Sequence, residues 1–514
     1  MYNSGLFASW VPRPLQLVLL LIFLIPSFSI SGIYMPNAHY MFSGTGSMAE
    51  HMYMANYATN IGMSVAFPLM LRILQRFRKK QILITALFIC SVLSFICGTT
   101  SDPGVIILCS LLIGFFKMFA AVISVLPIFG FISKAGNKAK IYSVFYPLVF
   151  TIAILVNWCL FKAAYLYNWQ YPFMLMVGAL MGLILLALIF VHNQRSFKKL
   201  PLYGIDWLSI PIYVSSWLCF AYIASFGKQQ GWLQSESVKL ALAGFFVLMG
   251  IFIIRVQMVK RPFINLRILR DPSVRYSILF LMAIGAFMGV SSIQTTYTSI
   301  LQYGSYHSTL LSFMTLPGII LAGFVGFNYF GKGLSVRMYI FTGFLAYTLN
   351  AFIMYFMISP EVNYSMWWLP MILNGYAMAA LMAAVWFYAI NHLQIHVFLN
   401  AFGMLFLVRT FLGTAFASLI VSWLTSHFQW ESVNNIAMNM DIQNMHAPMA
   451  AIYGKVQMNA MLVSFKTFYG YLGMFGIIFL FITLLHHFGK INYRSVILYY
   501  KLIGARPKKK VIVN

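Results

Sequence analysis

Two basic side chains stand inside long apolar runs of the sequence, where charge is rarest. Lys117 lies in the run 104–131, and Arg409 lies in the run 398–424. Ionisable groups are costly inside a bilayer, so each is a candidate for lining a passage through the protein. The expected partners of such a cation are helix carbonyls, polar side chains, water or an anionic ligand. Lys117 is also a candidate coupling residue because a buried lysine can release its proton. For Arg409 the alternative is a structural arginine that bonds neighbouring helices.

The carboxylates avoid these apolar runs. All eight lie in loops or at the ends of predicted helices: Glu50, Asp102, Asp206, Glu236, Asp271, Glu361, Glu431 and Asp441. Glu50 and Asp206 come nearest to the apolar runs and are candidate coupling groups. Their alternative role is a favourable charge near a helix N-terminus. Because the interior holds bases and no acids, we expect it to favour anionic or neutral amphipathic molecules over lipophilic cations.

Uncharged polar residues inside the runs form a second candidate set. The run 274–302 carries Gln294, Thr295, Tyr297 and Gln302, and three further runs carry Asn60, Asn157 and Asn374. Aromatic side chains with polar tips suit substrates of mixed character. The alternative for every member is a hydrogen bond between helices.

One pair of histidines raises the question of an enzyme. His392 and His396 are four residues apart, on one face of a helix. The pair resembles the histidine motifs of membrane di-iron oxygenases. Those enzymes use several histidine clusters, however, and the other histidines here are scattered. Soluble catalytic signatures, phosphate loops and zinc-ligand spacings are absent from the sequence. We therefore expect no enzyme, no cofactor and no metal site.

The elements that must position these residues are membrane-spanning helices. The chain has 514 residues, of which 61% are hydrophobic and 8% charged, and its mean hydropathy is +0.84. Soluble domains carry roughly 25% charged residues. Apolar runs long enough to cross a bilayer recur throughout, and in lipid such runs must be helical. The predicted spans are 15–36, 50–71, 81–99, 104–131, 141–164, 171–193, 205–226, 238–258, 274–302, 307–330, 336–358, 365–390, 398–424 and 467–488.

The distribution of positive charge predicts the orientation of these spans. The positive charge, which gives a net charge of +26, lies mainly in every second loop, and these loops share one side of the membrane. This pattern is typical of membrane orientation rather than of nucleic-acid binding. With an even number of spans, both termini are expected in the cytoplasm, and the protein in the cell's inner or plasma membrane. The polar, methionine-rich segment 425–466 is predicted to be a long external loop, which could pack as a small helical hairpin against itself or a partner.

Five segments carry a resemblance to a known family. They are NWQYPF (168–173), GIDWLS (204–209), RPFINLRILRDPSVR (261–275), ILQYGSYHSTLLSFMTLPG (300–318) and LVRTFLGTAFAS (407–418). In this order they resemble segments of the fourteen-spanner drug:proton antiporters of the major facilitator superfamily, the EmrB/QacA-like branch. The resemblance implies an all-α membrane fold of two six-helix halves, 1–200 and 261–514, separated by two extra helices in 201–260.

The first half departs from the family pattern. The segment LRILQRFRKK (71–80) keeps Arg76, Lys79 and Lys80, which the resemblance assigns to a gating loop, but has Gln75 where the family has aspartate. The glycine-rich antiporter motif of the fifth helix is missing.

The resemblance implies a secondary active exporter of amphipathic small molecules that is coupled to protons. Besides membrane lipid and the substrate, it implies a periplasmic adaptor protein, for which the segment 425–466 is the natural docking element. Two alternatives stay open: a carrier for one anionic metabolite, and a non-transporting scaffold or receptor that kept the fold.

Overall fold

The computed structural model describes residues 6–132, 138–193, 205–259, 261–391, 395–438, 449–486 and 488, and these are almost entirely helical. The α-helices are α1 Arg13–Ser29, α2 Tyr34–Thr45, α3 Ala49–Arg76, α4 Lys79–Thr99, α5 Pro103–Ile132, α6 Lys138–Leu166, α7 Tyr171–Phe190, α8 Ser209–Phe226, α9 Glu236–Met258, α10 Pro272–Gly289, α11 Ser291–Ile300, α12 Ser305–Leu310, α13 Leu316–Gly331, α14 Val336–Met357, α15 Trp368–Ile390, α16 Ile395–Leu407, α17 Ala417–Met438 and α18 Met449–Leu485.

The described residues contain thirteen helical stretches that are long and apolar enough to cross a membrane. A shorter apolar helix, Arg13–Ser27, precedes them. It continues through a 3-10 turn into α2, so this helical segment is longer than the predicted span 15–36. The all-α membrane fold predicted from the sequence is therefore confirmed, with a span count close to fourteen.

The segment 425–466, predicted as a loop that could pack as a helical hairpin, is largely helical. Helix α17 extends to Met438 and α18 begins at Met449, so the segment is helical on both sides of residues 439–448, which lie outside the described part of the chain. Polarity suggested a loop here, but the flanking stretches contain no proline and one glycine, Gly454, and nothing in them stops a helix. The two helices pack on each other, with the rings of Phe428 and Tyr471 stacked 5.5 Å apart.

The helices pack in three groups. Helices α1 to α7 contact one another, as do α10 to α18, whereas α8 and α9 pair with each other and α8 packs against α3. We propose that these groups correspond to the predicted units 1–200, 201–260 and 261–514, and we call the first and last the N-group and the C-group.

Glycines allow equivalent close crossings in the N-group and the C-group. Helices α3 and α5 meet at Gly62 and Gly114, and a side chain at either position would collide with the backbone of the other helix. Helices α13 and α15 meet in the same reciprocal way at Gly318 and Gly375. Small residues are a recurrent means of packing helices closely in membranes. The repetition is expected of a fold built from two related halves.

The bundle has one strongly basic end. We call this end the basic end and define it by Arg76, Lys80, Lys140, Arg255 and Arg275. Contacts bring the ends of several helices together there. Lys80 at the start of α4 donates a hydrogen bond to the carbonyl of Leu188 near the end of α7, and Lys140 at the start of α6 packs against the end of α13.

Candidate functional site

Arg409 lies where the N-group and the C-group meet. It belongs to a π-helical segment, Val408–Phe416, between α16 and α17. Its guanidinium lies over two rings of α6, 5.4 Å from the centroid of Tyr146 and 5.5 Å from that of Phe150. The side chain is half-buried, and within the described residues it makes no salt bridge and no hydrogen bond. Because no hydrogen-bond acceptor among the described residues engages the guanidinium, its N–H donors are available to a ligand.

The π-helical segment is held by a bond from the N-group. The carbonyl of Thr410 accepts a hydrogen bond from the Asn60 amide of α3 at 3.1 Å and another from the Thr414 hydroxyl at 2.7 Å. On its other side the segment packs directly on α10, because both contact residues, Gly285 and Gly413, lack side chains. Wide helical turns of this kind occur frequently at functional sites. The predicted cavity residue Asn60 thus helps to position the backbone beside Arg409.

Five aromatic rings from both groups lie between Arg409 and the basic end. We call them the ring cluster: Phe67 of α3, Tyr146 of α6, Trp386 of α15, and Phe402 and Phe406 of α16. Phe67 lies 4.5 Å from Phe402 and 5.0 Å from Phe406 between ring centroids. Trp386 lies 4.5 Å from Phe402 and 6.3 Å from Tyr146. Apart from half-buried Phe402, no member is more than 9% exposed.

Lys117 occupies a different kind of place. It is 3% exposed on α5, and its ammonium interacts electrostatically with the thiol of Cys90 on α4. Both helices belong to the N-group, whereas the aromatic partners of Arg409 belong to the opposite group from Arg409 itself. The roles proposed for Lys117 in substrate binding and coupling stay predictions.

The polar residues of α11 are spread over different surroundings. Gln294 is half-buried and faces the Tyr469 hydroxyl of α18. Tyr297 is buried, and its hydroxyl donates to the carbonyl of Ser359 at 2.8 Å and accepts from the amide of the same residue at 3.1 Å. Gln302 is exposed at the turn after α11, with a φ of 56°. The described contacts do not bring Tyr297 or Gln302 to Arg409.

Asn157 and Asn374 are the last two members of the polar candidate set predicted from the sequence. Asn157 is half-buried on the face of α6 that carries Tyr146 and Phe150, eleven and seven residues away respectively. Asn374 of α15 is also half-buried. Neither makes a hydrogen bond among the described residues, so their amides remain available for polar substrate groups.

The two candidate coupling carboxylates lie at helix starts. Asp206, before α8, accepts hydrogen bonds from Arg255 of α9 at 2.7 and 3.2 Å and from the Ser209 hydroxyl. Burial alone would raise the pKa of Asp206, but Arg255 and Ser209 outweigh burial and lower this pKa below its usual value. Glu50 is half-buried in the first turn of α3, where a helix N-terminus favours negative charge.

The residues assigned to the gating loop lie at the basic end. Lys80 bonds to Leu188 at 2.6 Å within the N-group, Arg76 is exposed, and Lys79 is half-buried. The side chains of His392 and His396 lie outside the described part of the structure.

Comparison with known proteins decides the family. A model of the Major Facilitator Superfamily matches residues 17–410, which is more than half of the chain. The chain belongs to the Major Facilitator Superfamily.

Solved structures of this superfamily share the fold at low sequence identity. A mutant form of the nucleoside transporter NupG is 12% identical with a TM-score of 0.54, over 91% of this chain and 99% of that one. Tetrameric PepTSo2 is 14% identical with a TM-score of 0.54, over 95% and 98%. The proton:xylose symporter XylE is 11% identical with a TM-score of 0.52, over 91% and 94%. No curated protein sequence matches the chain.

These findings support a multi-pass membrane transporter rather than an enzyme. They confirm the superfamily inferred from the five sequence segments, while the antiporter branch within it is a finer assignment. A Major Facilitator Superfamily member contacts lipid and a small-molecule substrate, so the charged and aromatic residues at the junction of the two groups are the natural candidates for substrate contact.

Sequence reasoning identified Arg409 but missed its aromatic partners. Tyr146, Phe150 and Trp386 looked like ordinary apolar content among many aromatic residues. One signal was present in the sequence: an aromatic residue directly precedes a proline in the interior of a helix, beyond its first turn, at Phe67 before Pro68 and at Tyr146 before Pro147.

Proposed function

We propose that this superfamily member is a secondary active exporter of amphipathic small molecules, of the fourteen-spanner drug:proton antiporter type. In this proposal its basic end and both termini face the cytoplasm, and it resides in the inner or plasma membrane. The basic residues gathered at one end support that orientation. The substrates are neutral or negatively charged.

The observation that carries the proposal is the environment of Arg409. A half-buried guanidinium at the junction of the two groups, which lies over two aromatic rings and has no carboxylate partner among the described residues, suits a substrate with an anionic group and an apolar body. The planar fork of donors matches carboxylate, sulfonate or phosphate groups, and the rings of Tyr146 and Phe150 match an apolar body.

Proton coupling is a separate part of the proposal. It is supported by the resemblance to drug:proton antiporters, and Lys117, Glu50 and Asp206 are its candidate carriers. Asp206 is already engaged by Arg255, and Lys117 is buried within one group, so we favour Glu50. A pH-sensitive dye enclosed in proteoliposomes would report proton movement when substrate is added. No proton flux during demonstrated transport would contradict the coupling but not the export.

The α17–α18 hairpin is proposed to dock a periplasmic adaptor. Helix α18 has 37 residues, about 55 Å of helix, whereas a bilayer core is about 30 Å thick. The excess lies at the end opposite the basic end, where Trp430 and Tyr453 are exposed. Replacing both with serine is expected to reduce adaptor capture while transport in proteoliposomes stays unchanged. Unchanged capture would contradict the docking role.

Transport by the purified protein tests the main proposal. Three probes with one aromatic body and different charge are suitable: a naphthalene sulfonate, a neutral naphthyl glycoside and a naphthyl trimethylammonium. The permanent charge of the first and last prevents passive leakage. In proteoliposomes with an imposed proton gradient we expect movement of the sulfonate and the glycoside to exceed that of the cation.

The other outcomes discriminate between functions. Preference for the cation would contradict the role of Arg409 in substrate choice. Transport confined to one anionic metabolite in a wider screen would indicate a specific carrier, the function that Arg409 favours next. No transport of any compound would favour a non-transporting relative.

A further inference from the structure

Two equivalent contacts bring the N-group and the C-group together near the basic end. On one side, Phe67 and Pro68 of α3 pack against Gly403 of α16, where an added Cβ would lie 3.2 and 3.1 Å from them. On the other side, Pro147 of α6 packs against Gly323 of α13, where an added Cβ would lie 3.1 Å away. Each contact pairs an in-helix proline of the N-group with a glycine of the C-group. The helices therefore approach more closely here than larger residues would allow.

The ring cluster fills the space between these two contacts. Of the residues directly before the two prolines, Phe67 faces Phe402 and Tyr146 faces Trp386, both in the C-group. Trp386 is fully buried, although it lies only one helical turn from the end of α15. Four large buried rings and the half-buried ring of Phe402, in contact across the junction of the two groups, can form a barrier there.

Tyr146 connects this barrier to Arg409. One neighbour of its ring is Trp386, within the cluster, and another is the guanidinium of Arg409, 5.4 Å from its centroid. Arg409 and Trp386 both belong to the C-group, whereas Tyr146 belongs to the N-group. The cation–π contact therefore joins the two groups directly above the ring cluster, on the side away from the basic end. A cation held over aromatic faces out of water gains stability from the ring electrons.

We infer that the ring cluster is the barrier that closes the passage toward the basic end. The cation–π contact between Arg409 and Tyr146, which we call the latch, holds this barrier closed. Opening toward the basic end then requires the Arg409–Tyr146 contact to break and the two proline–glycine contacts to separate. The prolines mark where α3 and α6 can bend as this happens. This inference depends on the superfamily fold and not on which substrate is carried.

Accessibility of a cysteine beyond the barrier tests the latch. Asn157 lies on the same face of α6 as Tyr146, farther from the basic end, so Asn157→Cys reports access past the ring cluster. The reporter is placed in a chain whose five native cysteines are replaced. A membrane-impermeant maleimide is applied to vesicles from the side of the basic end, and the labelling rate is measured without substrate.

Variants of the latch and the barrier have distinct expected effects. Tyr146→Leu removes the ring, and we expect labelling to rise about fivefold or more, because the closed conformation loses its cation–π contact and a barrier ring. Tyr146→Phe keeps the ring and is expected to label like the unaltered protein. Gly403→Val should also raise labelling, because its side chain meets Phe67 and Pro68. Tyr347→Leu is the matched control, since Tyr347 is a buried tyrosine of α14, stacked on Phe287 within the C-group.

The results separate this inference from the proposed function. Equal labelling of the unaltered protein and Tyr146→Leu overturns the latch even if transport is found. Raised labelling in Tyr347→Leu as well would mean general loosening and also overturns it. Raised labelling in Tyr146→Leu and Gly403→Val alone supports the latch, and it does so whether or not the three naphthalene probes are transported.

Discussion

Lys117 and Arg409 are the two basic residues placed by sequence deep in the bundle, and their surroundings differ. Lys117 is buried between helices of one group, beside a thiol of the same group. Arg409 is half-buried between the two groups, and its guanidinium contacts rings of the group to which it does not belong. A charge inside one group moves with that group during a rocking motion, whereas a charge between groups gains or loses contacts as they move.

Depth in the membrane therefore does not by itself identify a residue that takes part in transport. Both cations lie inside the bundle, where a charge is costly and is therefore expected to have a function. Only Arg409 also lies at a junction whose geometry must change in transport. Substitutions at the two positions should therefore affect different quantities: transport kinetics at Arg409, and the free energy of unfolding at Lys117.

The largest effect is expected from Arg409→Leu. Loss of the charged fork should raise the KM for the naphthalene sulfonate by about tenfold or more, because a hydrogen bond to a charged group contributes about 1.5–3 kcal/mol. Uptake rates in proteoliposomes over a range of sulfonate concentrations measure this. The KM for the neutral glycoside should change much less.

Arg409→Lys is the control for this substitution. Lysine keeps the charge but lacks the planar fork, so an intermediate KM is expected. Equal KM values for the sulfonate in Arg409→Leu and the unaltered protein would place the substrate elsewhere and leave Arg409 with its latch role alone.

Substitution of Lys117 should change the free energy of unfolding. Lys117→Ala is expected to lower the free energy of unfolding by about 2 kcal/mol, because a long buried side chain is lost and a cavity remains. Lys117→Met fills the space without a buried charge and should cost little. Thermal unfolding of the purified variants in detergent compares the two, and sulfonate KM values should stay within about twofold. If Lys117→Met folds normally but fails to couple transport to protons, Lys117 is a coupling residue and the contrast with Arg409 is wrong.

Much of this fold could be predicted because lipid leaves the chain few choices. Apolar runs of sufficient length must be helices, and basic loops sort the helix ends, so the spans and their alternation follow from composition. Polarity left the form of 425–466 open, since a water-exposed helix and a water-exposed loop have similar composition. The helical extension of α17 and α18 depends on their packing against each other, which hydropathy does not record.

The candidate site was only partly predictable, because it consists of contacts between distant segments. A charge in an apolar run is conspicuous, so Arg409 was found. A tyrosine or tryptophan in such a run is not, and the partnership of Tyr146 with Trp386 joins residues 240 positions apart. Gln302 and Tyr297 were chosen for polarity, yet one lies at an exposed turn and the other binds the backbone of Ser359.

Asp206 is a third charged residue to compare with Lys117 and Arg409. It lies at the basic end and already forms an ion pair with Arg255. The hydrogen bonds from Arg255 lower its pKa, so the ion pair contributes stability above the ordinary pKa of aspartate and loses it only as the pH falls through the lowered folded-state value. The pair is therefore intact between about pH 5 and 8.

Asp206→Asn should reduce the free energy of unfolding by about 1 kcal/mol throughout that range, because Arg255 keeps a weaker hydrogen-bond partner. The shape of the transport pH profile should not change. A profile shifted by Asp206→Asn would instead mean that Asp206 exchanges protons during transport, and that pairing with Arg255 does not keep a carboxylate out of the coupling path.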